Sequence, residues 1–176
     1  MLQFRLSGSG GQGLILAGII LAEAAIADGK EAVQSQSYGP EARGGSSKSE
    51  VIISETAIHY PKVLGPDFLL AMTQEAMNKY AVDLKPEGIL VIDSTFVKEV
   101  PEQFKNVYSV PITKMAKEEL GRDLFANIIA LGTVAKLTSA VSYEALEGAV
   151  LARVPKGTEE VNKKALKLGY EAVINK

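Results

Sequence analysis

The sequence has 176 residues, 47% of them hydrophobic, with 19 basic against 21 acidic side chains and a net charge of −2. That length and apolar content predict one domain over residues 1–176 with a real core. The even charge balance offers no basic footprint for nucleic acid and no polybasic membrane patch, and the absence of cysteine excludes a disulfide, a thiolate zinc site or a cysteine-ligated iron–sulfur cluster in this chain.

Residues 2–7 alternate apolar and polar, as a strand does. Gly8 to Gly13 form a turn, and Gln12 to about Asp28 read as a long helix stopped by Asp28-Gly29. Its apolar run, Leu14 to Ala22, followed by Ala22-Glu23-Ala24, imitates a signal peptide. Only Arg5 supplies positive charge before it, and the run is too short to span a bilayer. The expected location is therefore the cytoplasm. A second strand is expected over Ala32 to Ser35, a polar loop over 37–49, and a strand over Glu50 to Ser54, with a hairpin arm through Ile58. The single histidine, His59, falls at the end of that arm and reads as structural.

Farther along, Asp67 to Met72 suit a buried strand, Gln74 to Val82 a short helix, Ile89 to Asp93 a strand after the turn Lys85-Pro86-Glu87-Gly88, and Val107 to Val110 a last strand. The rest is helical: Lys114 to Leu120, Leu124 to Ser139, and Tyr143 to Ala152 capped by Ser142. In a final helix capped by Thr158, Val161, Ala165, Leu168 and Ala172 line one face. Strands alternating with helices predict an α/β fold: a Rossmann-like, mainly parallel sheet with flanking helices and a helical C-terminal third.

Two segments carry chemistry. The first is Gly8-Ser9-Gly10-Gly11-Gln12-Gly13, a G-x-G-x-x-G between a strand and a helix. Glycines let the backbone approach a phosphate, and the unpaired N–H groups at the helix start attract it. The ribose-binding acid of a dinucleotide site is missing, because Gln34 to Ser37 are neutral where it belongs and Asp28 and Glu31 precede the strand. A tight turn without any ligand is the plain alternative. The second segment is Tyr38-Gly39-Pro40-Glu41-Ala42-Arg43-Gly44-Gly45-Ser46, expected beside the glycine turn at the C-terminal end of the sheet. Arg43 among small residues is a fork of donors suited to a carboxylate or phosphate, or else a surface arginine in a polar turn. The candidate binding residues are Gly8, Ser9, Gly10, Gly11, Gln12, Gly13, Tyr38, Arg43, Gly44 and Gly45.

These residues carry a family resemblance. Gly10-Gly11-Gln12-Gly13 with its Ala-rich helix, then Gln36-Ser37-Tyr38-Gly39-Pro40-Glu41-Ala42-Arg43-Gly44-Gly45 and Ser49-Glu50-Val51, resemble the gamma subunits of 2-oxoacid:ferredoxin oxidoreductases, and the loop is most similar to the 2-oxoglutarate branch. The likeness covers essentially the whole chain. It implies a complex that decarboxylates a 2-oxoacid oxidatively, passes the acyl group to coenzyme A and sends electrons to ferredoxin. Thiamine diphosphate, magnesium and [4Fe–4S] clusters would sit in alpha and beta partner subunits, with a ferredoxin-like delta subunit as a further candidate. This chain would bind no cofactor alone, lack a catalytic residue or metal, and contribute to coenzyme A access and assembly. The competing reading is a stand-alone NAD(P)-binding Rossmann oxidoreductase.

Assembly has a sequence signal of its own. The helix from Leu14 to Ala27 is apolar on nearly every face, Glu23 and Gly18 excepted, so its outer stripe with Ile19 or Ile20 needs covering by the C-terminal helices or by a partner. Leu124 to Ala135 poses the same question.

Overall fold

The computed structural model describes residues 1–37 and 45–173. Among these described residues six strands form one sheet: β1 (Leu2–Ser9), β2 (Glu31–Gln36), β3 (Ser46–Ser54), β4 (Phe68–Ala71), β5 (Ile89–Asp93) and β6 (Asn106–Val110), in the order β2-β3-β1-β4-β5-β6. The β1–β4, β4–β5 and β5–β6 pairs are parallel, whereas β3 runs antiparallel to both β1 and β2. The mainly parallel α/β sheet expected from the sequence is thus present, with one reversed strand. That strand begins at Ser46, not Glu50, because Ser46 to Ser49 pair with Leu6 to Ser9 despite their polar composition. Beyond Ser54 no hairpin arm forms, and His59 sits in an exposed bend rather than at a strand end.

The alternation along β1 sorts two cores. Phe4 and Leu6 face a large cluster with Val51, Phe68, Leu70 and Val91, under α1 (Leu14–Ala27), α3 (Ile112–Leu120), α4 (Ala126–Thr138), α5 (Tyr143–Arg153) and α6 (Glu159–Ala172). On the opposite face Leu69, Ala71, Leu90 and Ile92 pack with Ala76, Met77 and Tyr80 of α2 (Gln74–Tyr80). Polar positions of β1 point to that second face, and α2 covers them. Arg5 is consequently only 4% exposed. Its Nε donates to Glu50 Oε1 at 2.8 Å, its NH2 group donates to Asp83 Oδ2 at 3.0 Å, and NH1 reaches the Tyr80 carbonyl at 3.0 Å and the other Asp83 oxygen. A buried guanidinium is tolerable when its donors are met this way.

The N-terminal apolar run is a core helix. Ile20 and Leu21 of α1 are fully buried between the sheet and α5, so Ile20 does not lie on an outer stripe. Only Ile15 and Ile26 of that helix stay exposed as large apolar side chains. In α4 every residue from Ala126 to Ala135 is buried, mostly under α6. The two helices can approach closely because Gly132 and Gly169 place backbone against backbone. The face of α6 turned inward is Asn162, Ala165, Leu166 and Gly169. The stripe Val161, Ala165, Leu168 and Ala172 is therefore rotated from the true one, since close packing selected a glycine and a short polar residue that hydropathy does not mark. Ser142 caps α5, its Oγ accepting from Ala145 N, as expected. Thr158 occupies the N-cap of α6 without capping it: its hydroxyl donates to the Pro155 carbonyl at 2.6 Å.

Candidate functional site

The glycine turn lies at the C-terminal end of β1, where open α/β sheets bind ligands. Gly8 and Ser9 still belong to the strand, and Gly10 to Gly13 make the connection to α1. Gly11 and Gly13 have φ of 87° and 74°, left-handed values that disfavour a side chain. At Gly13 space is also denied, because a Cβ would meet Asn127 Nδ2 at 2.6 Å. That Asn127 amide donates to the Gly13 carbonyl at 3.2 Å and ties the turn to α4. Inside the turn, Ser9 N donates to Gln12 Oε1 at 2.8 Å.

The helix that follows has 14 residues, no acidic residue in its first turn and no side-chain cap. Its start thus keeps partial positive charge and N–H donors available to an anion. The donor set and the close-approach backbone fit a phosphate. They offer nothing to a metal: the chain lacks cysteine, and among the described residues no three or more His, Asp or Glu side chains gather to ligate one.

Two clefts open on either side of the turn. One, of about 320 Å³, has Ser9 to Gln12 as one wall and Phe96, Thr113, Asp123 and Leu124 among the opposite residues. The other, of about 200 Å³, brings Gly10, Gly11, Gly13 and Leu14 against Ile15, Ser37 and Ser47. Its Ser37 hydroxyl is buried without a partner. The far wall of the larger cleft is set by Asp93 at the end of β5, whose carboxylate accepts from Thr113 N at 3.1 Å, Thr113 Oγ1 at 2.5 Å and Thr95 N at 3.0 Å. This fixes the start of α3 beside the turn.

Of the residues singled out from sequence, Gly8 to Gly13 are brought together, and Gly45 joins them: Gly10 N donates to the Gly45 carbonyl at 3.4 Å, and Ser9 pairs with Ser46. Tyr38, Arg43 and Gly44 lie outside the described residues. Phe96, Thr113, Asp123, Leu124 and Asn127 were missed by sequence reasoning. A usable signal existed for the first two, since each follows closely on the C-terminal end of a strand. At the end of β2 the neutral character persists: Gln34 Nε2 is bound to Ser49 Oγ at 3.0 Å, and Asp28 accepts from Ser142 N and Oγ at the other end of the strand.

Residues 3–172 match the family described as pyruvate ferredoxin/flavodoxin oxidoreductase. The chain belongs to that family. A 2-oxoglutarate synthase subunit KorC of Methanocaldococcus jannaschii is 51% identical over 172 residues, spanning 96% of this chain and 92% of that one. Among solved structures, a keto/oxoacid ferredoxin oxidoreductase gamma subunit from Geobacter sulfurreducens superposes with a TM-score of 0.89 at 53% identity, covering 98% of each chain. The fold also recurs, at 23% identity and a TM-score of 0.84, within 30% of a longer 2-oxoglutarate:ferredoxin oxidoreductase chain from Magnetococcus marinus. For this oxidoreductase family member, no helix among the described residues is long and apolar enough to cross a membrane.

Proposed function

We propose that this chain is the gamma subunit of a thiamine diphosphate-dependent 2-oxoglutarate:ferredoxin oxidoreductase in the cytoplasm, acting as one gamma-type domain over residues 1–176. The complex converts 2-oxoglutarate and coenzyme A to succinyl-CoA and CO2, and two electrons pass to ferredoxin. The observation that carries this reading is the likeness, at 51% identity over nearly both full lengths, to a 2-oxoglutarate synthase subunit. Thiamine diphosphate, magnesium and [4Fe–4S] clusters belong to alpha and beta partners and a ferredoxin-like delta subunit. The sequence supports that division, since it has no cysteine to ligate a cluster.

The chain's own contribution is an anion site at the glycine turn, built from Gly8 to Gly13, Gly45, and Tyr38, Arg43 and Gly44 of the adjoining loop. Backbone donors at the start of α1 hold phosphate of coenzyme A there, and Arg43 adds a bidentate fork. Neither the neutral end of β2 nor the family relationship favours the NAD(P)-dependent alternative.

Reconstitution tests the reading. The purified chain alone should give no 2-oxoglutarate- and coenzyme A-dependent dye reduction, and adding the partner subunits should restore it. Turnover by the isolated chain, or an assembled complex that uses pyruvate in preference to 2-oxoglutarate, would overturn it.

A further inference from the structure

A cavity of about 200 Å³, apart from the two clefts at the glycine turn, opens between the start of α4, the end of α5 and the start of α6. Its walls are mostly apolar: Leu16 of α1, Phe125, Ile128 and Val154. Phe125 and Ile128 belong to the core. Apolar walls with a few placed polar groups are the usual make-up of a small-molecule site. The volume admits one small molecule and is too small for a nucleotide cofactor.

The polar groups in the lining are left with specific unmet needs. Asn127 and Asn162 are 6% and 3% exposed. Asn127 Nδ2 donates to the Gly13 carbonyl, and Asn162 Nδ2 donates to the Thr158 carbonyl at 2.9 Å and to its hydroxyl at 3.1 Å. Neither amide oxygen accepts a hydrogen bond among the described residues. Buried amide oxygens are nearly always met by a donor. Thr158 cannot supply it, because its hydroxyl donates to the Pro155 carbonyl. Two arginines complete the lining. Arg153 engages both carboxylate oxygens of Glu23, through Nε at 3.0 Å and through one terminal nitrogen, so its charge is already answered. Arg122 is exposed, and its side chain makes no hydrogen bond or ion pair among the described residues. The cavity thus combines a free guanidinium fork for a carboxylate, unmatched acceptors for an N–H group, and apolar walls.

We propose that this cavity is a binding site for a free α-amino acid with an apolar side chain. Its carboxylate meets Arg122, its ammonium group turns toward the Asn127 and Asn162 amide oxygens, and its side chain lies among Leu16, Phe125, Ile128 and Val154. The site goes beyond the functional reading above and takes a different ligand from the glycine turn. Asn127 joins the two regions, its nitrogen serving the turn and its oxygen the cavity.

The test is calorimetry on the full chain and on the assembled complex with three probes: L-leucine, 4-methyl-2-oxopentanoate, which lacks the ammonium group, and 3-methylbutylamine, which lacks the carboxylate. Leucine should bind once per chain in both preparations, and each analogue should bind at least roughly 10-fold more weakly, the scale of one lost charge-assisted contact. Arg122→Gln, at an exposed position, should weaken leucine binding by roughly 10-fold, and Arg122→Lys should recover part of the loss. Val154→Phe should fill the cavity and abolish binding. Leucine should raise the melting temperature of the wild-type chain and leave that of Val154→Phe unchanged. If Val154→Phe fails to fold, Arg122→Gln decides alone. No leucine binding tighter than about 10 mM would overturn the proposal. So would equal binding of the oxoacid, which would leave the asparagine oxygens without a role, or leucine binding that Arg122→Gln leaves intact. Binding by the free chain that disappears in the complex would mark the cavity as a subunit contact and equally overturn it.

Discussion

Gly169 of α6 lies directly on the backbone of Ile129 in α4, and a Cβ built on Gly169 would overlap the Ile129 carbonyl. Across the same contact, a Cβ on Gly132 would overlap the Leu166 carbonyl. Backbone on both sides means that no flexible side chain can yield, so the helices must part. Gly169→Ala should therefore destabilise the protein by about 1–3 kcal/mol, despite the better helix propensity of alanine. The melting temperature should fall by roughly 2–4 °C for each kcal/mol. Gly148 on α5, where a Cβ would meet nothing within 4 Å, provides the control. Gly148→Ala should be neutral or slightly stabilising, and an equal loss at both positions would show that propensity arguments, not the helix contact, are at fault.

The Arg5 network gives a second test. Removing the guanidinium leaves Glu50 at the sheet with Lys48, 2.9 Å away, as its remaining cation, and strands the Tyr80 carbonyl. Breaking a buried pair on one side is costly, and Arg5→Met should lose about 3 kcal/mol, the low end of the range because Asp83 is partly solvated. A loss below about 1 kcal/mol in chemical denaturation would mean that methionine packing replaces the ionic contacts.

The same contact sets a pH dependence. Hydrogen bonding from Arg5, aided by its charge, holds the Asp83 carboxyl below the usual carboxylate value against the opposing effect of burial. Because the folded-state value lies below the unfolded one, the contribution is present above the unfolded value of about 4 and is lost as pH falls through the folded value. Asp83→Asn should flatten the stability profile below about pH 4 relative to wild type. Identical slopes in the two proteins would remove Asp83 from the acid response.

The contrast between Ile20 and Ile26 bears on what the first helix is for. Ile20 is fully buried within the chain, so Ile20→Asp should abolish folding, a charge having no partner there. Ile26, 59% exposed, should accept aspartate within about 0.5 kcal/mol. Circular dichroism melts of the two variants decide it, and a stable Ile20→Asp protein would mean that α1 packs differently.

Much of the architecture was legible because elements with strong local signals kept their local outcome. The apolar run Ile89 to Ile92, closed by Asp93, follows the turn Lys85-Pro86-Glu87-Gly88, and Ile89 to Asp93 is β5 to the residue. Ser142 stood just before the helix expected from Tyr143 and caps α5. What stayed hidden depended on long-range pairing. Ser46 to Ser49 look like loop by composition, yet pairing with β1 makes them strand. The burial of Arg5 has no local sign either, because nothing near it in sequence says that α2 will cover that face. In the site, glycine spacing announced one wall of the crevice. The opposite wall, with Phe96 and Leu124, comes from segments more than 80 residues away in the chain and has no spacing rule that would disclose it.

The last prediction concerns Arg43. Gly45, two residues farther along the sequence, accepts a 3.4 Å hydrogen bond from Gly10 N of the glycine turn. Arginine offers fixed, paired donors, and the start of α1 adds partial positive charge. Lysine would keep the charge and lose the fork. In the assembled complex Arg43→Lys should weaken coenzyme A use, and Arg43→Ala should weaken it further. Loss of one charge-assisted contact of ~1.5–3 kcal/mol corresponds to roughly 10- to 150-fold in kcat/KM for coenzyme A. Decarboxylation of 2-oxoglutarate before coenzyme A enters should be nearly unaffected, because that step needs no phosphate contact. Steady-state kinetics with each substrate varied in turn separates the outcomes. A selective rise in the KM for 2-oxoglutarate would assign Arg43 to the distal carboxylate of the oxoacid instead. If Arg43→Ala changes neither substrate's kinetics in an intact complex, the arginine has no part in binding either substrate.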